Sequence, residues 1–346
     1  MPITKWILPE GIEDILPEQA YWLEIKRREV IDTFVKFGYG IVIPPLIEYS
    51  DSLLTDSSED LDLQTFKLID QDTGKQLGLR ADITSQISRI YSTYSDQNEL
   101  NRYCYFDHVI RTKNNESKKS RIPIQAGAEL IGFFKNIHND AEVVILMLEV
   151  LKKFTAKKIF LDLGHVGIFK KLMDSIKLDN EQKLFIKNMI RKKSSSELKN
   201  YLDNLKIDES LKKCIGDFPK MHGPINNILK YSDQLISFDK KIKKDIDYMI
   251  KLSSLIYKFH KDVEIKYDFC ELKGFDYENN VIFSAYIEND SEEVAIGGRY
   301  DGIQNEVSGI GFSIDVRYLL KYQSVSQHSN NLVFKSGKWV FEDKNE

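Results

Sequence analysis

The sequence predicts an α+β fold in which an antiparallel sheet, built largely from hairpins, is flanked by helices and interrupted by a helical insertion. Three observations carry that reading. Helix-period stretches stand at 18–37 and 139–154, strand–turn–strand patterns repeat between 65 and 132, and a lysine-rich block at 165–260 has almost no strand pattern before strand-like text resumes.

Taken in order, residues 18–37 place Trp22, Leu23, Ile25, Val30, Ile31, Phe34 and Val35 near helical spacing, and Gly38 and Gly40 supply the stop. The β-branched run that follows is broken by Pro44-Pro45, which can end or edge a strand but cannot sit inside a central ladder. From Thr65 a hairpin turns at Gly74. A helix after Thr84 leads to a second hairpin, whose arms are 101–113 and 124–133. Residues 139–154 begin on an Asn/Asp cap and carry an apolar stripe, and a strand follows at 157–164. Strand text returns at 263–320, and near the end Ser336-Gly337 suits a small hairpin. The domains expected are therefore a core split in sequence over 1–164 and 261–325, a helical insertion at 165–260, and a short tail at 326–346.

Of 346 residues, 42% are hydrophobic and 29% charged, which excludes disordered, collagen-like and coiled-coil chains. With 49 Lys+Arg against 53 Asp+Glu the formal charge is -4, so no global field holds a polyanion. The lysine run near Arg191-Lys192-Lys193 lacks interleaved aromatics and reads as a solvated face rather than an RNA site. Cys104, Cys214 and Cys270 are far apart, with neither a CxxC pair nor clustered histidines, so reduced buried thiols are expected and no metal site. The N-terminus carries Glu10, Glu13, Asp14 and Glu18 where a signal peptide needs an apolar run, and no segment suits a membrane span; a cytoplasmic protein is expected.

Only ten of the 49 basic residues are arginines. A guanidinium kept against that bias is a candidate for bidentate recognition of carboxylate or phosphate, and Arg80, Arg111, Arg299 and Arg317 all fall in strand or strand-edge text; a structural ion pair is the equal alternative for each. Gln125 and Glu129 are four apart in a strand, hence on one face and about 13 Å apart, with Gly127 between them expected to leave that face open. The loop at 114–123 folds Arg111 back toward them. An acid, an amide and a guanidinium around one cavity suit a zwitterion such as an amino acid, although a solvated polar face is the competing reading. The paired Gly297-Gly298 before Arg299 has neither GxGxxG nor P-loop spacing.

In order, these segments resemble the catalytic core of a class II aminoacyl-tRNA synthetase, specifically histidyl-tRNA synthetase, over about 5–322. GYGIVIPPLIEYSD is similar to motif 1, the dimer-forming helix and strand of that family; YFDHVIRTK with IQAGAELIG is similar to motif 2; and GIGFSIDVRYLL is similar to motif 3. LGLRADIT, ELKGFDYENNVIF and GGRYDG resemble its Leu-Arg-Pro-Glu-Gly-Thr, Arg-Gly-Leu-Asp-Tyr-Tyr and companion histidine motifs. The resemblance implies a class II antiparallel sheet and a histidine pocket: Asp82, Gln125 and Arg111 at the backbone end of the amino acid, Glu129, Tyr300 and Tyr277 around the imidazole, and Lys273 in place of the family's catalytic arginine.

The departures matter as much as the matches. Lys113 stands where that family has an adenine-contacting Glu, Lys273 replaces a guanidinium fork by a point charge, Glu278 replaces the second Tyr, and an anticodon-binding domain is not expected. Taken together the pattern resembles the regulatory subunits of the short-form ATP phosphoribosyltransferase. That resemblance implies a non-catalytic protein without cofactor, binding L-histidine as effector, and joining the short catalytic subunit in a hetero-oligomer to confer activation and feedback inhibition. It also implies a homodimer through the motif 1 region and no tRNA charging. The alternative is a truncated histidyl-tRNA synthetase paralogue that adenylates an amino acid, which Arg111, Arg299 and Arg317 would serve.

Overall fold

A computed structural model describes residues 7–54, 59–96, 98–113, 120–132, 136–272, 278–303, 307–323, 330–335 and 338–343. Helix α1 (Pro17–Lys36) begins with proline at its first turn, where no amide donor is needed, carries Glu18 in the first turn and Lys36 in the last, and stops before Gly38 at φ +84°. Strands β1 (Gly40–Ile41) and β2 (Ile47–Tyr49) flank the proline pair, and short helices α2 (Ser50–Leu53) and α3 (Glu59–Gln64) lead to the hairpin β3 (Phe66–Ile69) and β4 (Gln76–Leu79). Next come α4 (Thr84–Tyr94), the hairpin β5 (Asn101–His108) and β6 (Ile124–Gly132), α5 (Ile137–Leu151), whose cap Asn136 accepts from the His138 amide, and β7 (Ile159–His165).

The lysine-rich stretch forms α6 (Val166–Asp174), α7 (Asn180–Arg191), α8 (Ser195–Asp203), α9 (Glu209–Asp217), β8 (His222–Pro224), α10 (Ser232–Phe238) and α11 (Ile242–Phe259). The three-residue strand β8 is one that periodicity does not announce, being too short to show a period. After it come β9 (Glu264–Asp268), β10 (Glu278–Ile287), β11 (Glu293–Ile303), β12 (Val307–Asp315), and a terminal hairpin of β13 (Asn330–Lys335) with β14 (Lys338–Asp343).

One nine-stranded sheet organises the molecule, in the order β1-β5-β6-β12-β11-β10-β7-β9-β8. From β5 to β7 every neighbour is antiparallel; β1 joins β5 and β9 joins β7 in parallel, so the sheet is mixed toward its edges. The α+β class with helices on the sheet is as expected.

Alternation fixes the two faces. On the rear, Ala126, Ala128 and Leu130 of β6 and Ile310, Phe312 and Ile314 of β12 join Phe34 of α1 and Val144 and Leu148 of α5 in a core that continues into Ile190, Leu198, Phe218 and Ile246 of the helical stretch. At roughly 1.5–3 kcal/mol for each large apolar side chain buried, this layer is what holds the lysine-rich helices to the sheet. The front carries Gln125, Gly127 and Glu129, and is covered in part by a smaller cluster of Ile83, Ile87 and Tyr91 with Tyr105, Ile131 and Val307.

Candidate functional site

The front face is centred on Glu129, a carboxyl only 1% exposed. Three hydroxyls converge on it. Thr84 donates to Oε1 at 3.0 Å, Tyr300 to Oε2 at 2.9 Å, and Tyr105 lies at 3.5 Å from Oε1. Burial dominates its proton affinity, and despite those donors the group is pushed up to about 8. The phenols of Tyr105 and Tyr300, buried beside it, are raised well above their ordinary value, again chiefly by burial and then by the Glu129 charge. A protonated carboxyl at neutral pH can donate to a ligand acceptor, and its anion can accept from a ligand N–H.

A second group adjoins the first through Thr84. Gln125 donates to Asp82 Oδ2 at 2.8 Å and accepts the Ile83 amide at 3.2 Å, while the Thr84 amide donates to Asp82 Oδ1 at 2.8 Å. This pins the segment before α4 across β6. Arg111 lies just beyond the end of β5 rather than inside a strand; its Nε donates to the Ala81 carbonyl at 3.2 Å, one residue from Asp82. Thus Asp82, Arg111, Gln125, Glu129 and Tyr300 fall in one connected network. Lys273 and Tyr277 lie outside the described residues. Lys113 is exposed.

Glycines shape the floor. Across the sheet Glu129 faces Gly311, which in turn faces Gly298, and a Cβ at Gly311 would overlap the Glu129 carboxylate. Gly309 leaves room for the Tyr300 ring in the same way. Gly127, by contrast, does not open the face as expected: Tyr105 stands opposite it and its ring occupies the space a Cβ would take. What remains is a cavity of about 190 Å³ bounded by Thr84, Glu129, Glu271, Ser284, Tyr300 and the backbone of Gly297, Gly298 and Gly311.

Two of the retained arginines take the structural alternative. Arg80, 1% exposed, donates from Nε to the His108 carbonyl and from Nη1 to the Pro44 carbonyl, each at 2.7 Å, and pairs with Asp107 at 2.8 Å. Arg299 neighbours Tyr300 on β11 and so points to the opposite face, where it pairs with Asp140 of α5, to which Tyr248 of α11 also donates, and reaches Ser308 at 3.1 Å. It is therefore not in the cavity. Arg317 donates to the Glu13 carbonyl at 3.0 Å. Thr84, Tyr105, Ser284 and Gly311 escape sequence reasoning; Thr84 was marked only by its place in the Leu-Arg-Ala-Asp-Ile-Thr run, and the others by register across strands, which sequence does not display. No cluster of metal-ligating side chains occurs among the described residues, and no helix among them is long and apolar enough to cross a membrane.

The chain resembles known proteins over most of its length. A family model described as histidyl-tRNA synthetase matches residues 11–319. The ATP phosphoribosyltransferase regulatory subunit of Methylococcus capsulatus is 38% identical over 328 residues, covering 93% of this chain and 80% of the relative. That of Thiobacillus denitrificans is 37% identical over 332 residues, covering 94% and 100%. Among solved structures, an ATP phosphoribosyltransferase regulatory subunit/histidyl-tRNA synthetase from Bacillus halodurans superposes with a TM-score of 0.84 at 24% identity, over 95% of this chain and 85% of that one. A chain of an ATP phosphoribosyl transferase (HisG:HisZ) complex from Thermotoga maritima gives a TM-score of 0.67 at 20% identity, over 87% and 98%. At these identities the solved structures speak to the fold.

Proposed function

The chain belongs to the ATP phosphoribosyltransferase regulatory subunits, whose scaffold is that of histidyl-tRNA synthetase, and from that membership we propose that it binds free L-histidine on the front face and passes its occupancy to a short catalytic subunit. In this reading the protein is cytoplasmic, uses no cofactor and catalyses no step itself. Asp82, Gln125 and Arg111 hold the ammonium and carboxylate, joined by Lys273, while Glu129, Tyr300 and Tyr277 surround the imidazole. The observation that carries the proposal is the buried Glu129 carboxyl, set over Gly311 and ringed by hydroxyls. A carboxyl so placed favours an imidazole over an apolar isostere, because beyond the hydroxyls it already holds it can accept from an imidazole N–H, or when protonated donate to the bare ring nitrogen, and the isostere can do neither.

Regulation then follows from linkage. If histidine binds one arrangement of the hetero-oligomer more tightly than another, a coupling of about 1–3 kcal/mol shifts the equilibrium between active and inactive arrangements roughly 5- to 150-fold. The test is a titration of the wild-type chain and Glu129→Ala with histidine, alongside the activity of the reconstituted complex. Binding and inhibition that both vanish in the variant are expected; inhibition that survives loss of binding would refute the assignment. The adenylating alternative is weakened by the rearward position of Arg299, and histidine-dependent ATP–pyrophosphate exchange by the isolated chain would restore it.

A further inference from the structure

The two ends of the amino acid fall to different rows of the front face, Glu129 in one and Gln125 in the other. Across the sheet Glu129 is opposite Gly311 and Gln125 opposite Asp315, so the row between them consists of Gly127 on β6 and Ser313 on β12. Either outer row lies two residues along the strand from this middle one, roughly 6–7 Å away. At Gly127 the space is taken by the ring of Tyr105, which is itself buried. The middle of an occupant that reaches from Gln125 to Glu129 is therefore met by Ser313.

Alternation puts Ser313 on the front: Gly311, two residues earlier, lies under the Glu129 carboxylate, while Phe312 and Ile314 belong to the rear core. The serine bounds the cavity and is only half-buried, and its hydroxyl has no hydrogen-bond partner among the described residues. A count of donors says what it is for. An α-ammonium carries three N–H donors and no acceptor. Of the side chains assigned to the backbone end, Arg111 and Lys273 only donate and so serve the carboxylate; Asp82 and the Gln125 carbonyl are the acceptors, which leaves one ammonium N–H over. Asp315 stands in the row of Gln125 but is turned to the Tyr318 amide, from which it accepts at 3.1 Å. Ser313 is the next acceptor on that strand.

We propose that Ser313 is a specificity-determining residue of the cavity, its hydroxyl accepting the third N–H of the bound amino acid's α-ammonium. The inference rests on the reading of the front face as an amino-acid site with its backbone end at Asp82 and Gln125. Ser313 then reads a free amino group, and rewards an amino acid over its deaminated counterpart.

The test is calorimetric titration of the full chain and of Ser313→Ala with three compounds: histidine, histidinol, which keeps the ammonium but lacks the carboxylate, and imidazolepropionate, which keeps the carboxylate but lacks the ammonium. Thermal unfolding of both proteins is followed without ligand. The expected result is a loss of roughly three- to thirtyfold in affinity for histidine and histidinol alike, no loss for imidazolepropionate, and an unchanged unfolding temperature. If imidazolepropionate does not bind either protein, the other two compounds decide. Undiminished binding of histidine by Ser313→Ala overturns the role of Ser313 and leaves the histidine site standing. A loss that histidinol does not share, or that imidazolepropionate shares equally, puts the contact elsewhere and overturns it too, as does an unfolding temperature lowered by several degrees, which would show that the hydroxyl already serves the fold. A wild-type chain that binds none of the three overturns the amino-acid reading itself, and the inference with it.

Discussion

Glu129 holds its proton up to about 8 in the folded protein, against an ordinary value of 4.5, and that difference has a sign. Between those pH values the native state binds the proton and the unfolded chain does not, so stability is full below about 4.5 and declines as pH rises through 8. Glu129→Gln should remove on the order of a few kcal/mol of that decline, read as a flatter dependence of urea midpoint on pH between 5 and 9 in the ligand-free protein. Equal slopes would mean that the carboxyl is not desolvated. Gly311→Ala tests the same spot from beneath. Its methyl group collides with the carboxylate, so histidine affinity should fall at least about tenfold, with roughly 1–3 kcal/mol lost from stability, in titration and denaturation experiments.

Among elements, β11 links the two faces. Tyr300 serves the cavity in front while Arg299, the preceding residue, is buried behind against Asp140 and Ser308. Replacing Arg299 by leucine strands a buried carboxylate and should cost about 3–5 kcal/mol, and adding Asp140→Leu should return most of it, measurable as a double-mutant cycle by chemical denaturation. Simple additivity would show that the pair is not coupled. The same strand shows what a sequence reveals and what it withholds. Alternation alone puts Arg299 and Tyr300 on opposite faces, but it does not say which face the helices cover, and only the packing of α5 and α11 behind the sheet assigns the arginine to the rear. Gln125 and Glu129 were legible because four residues of one strand form a local ruler. Tyr105 over Gly127, and Gly311 under Glu129, depend on pairings between distant segments, and no local period records them. Helices of 15 to 20 residues, such as α1 and α5, carry enough turns to be read, whereas β8 does not.

For the whole molecule, several exposed apolar residues fall where the sequence resembles motif 1: Val35, Ile41, Ile43, Leu46, Ile47 and Tyr49. We propose that this stretch forms an interface with a second copy of the chain. Sedimentation at micromolar concentration should find a dimer, and Ile43→Glu with Ile47→Glu should yield monomers that still unfold cooperatively; an unaltered sedimentation coefficient would place the dimer contact elsewhere. One continuous core runs from α1 through α5 into the lysine-rich helices. The sheet between front and rear is a single layer of backbone, and at residues 299 and 300 the polar chemistry of its two sides is joined by one peptide group. A shift of that peptide group would displace the Tyr300 phenol and the anchor of α5 and α11 together. News from the cavity has only the thickness of a strand to cross.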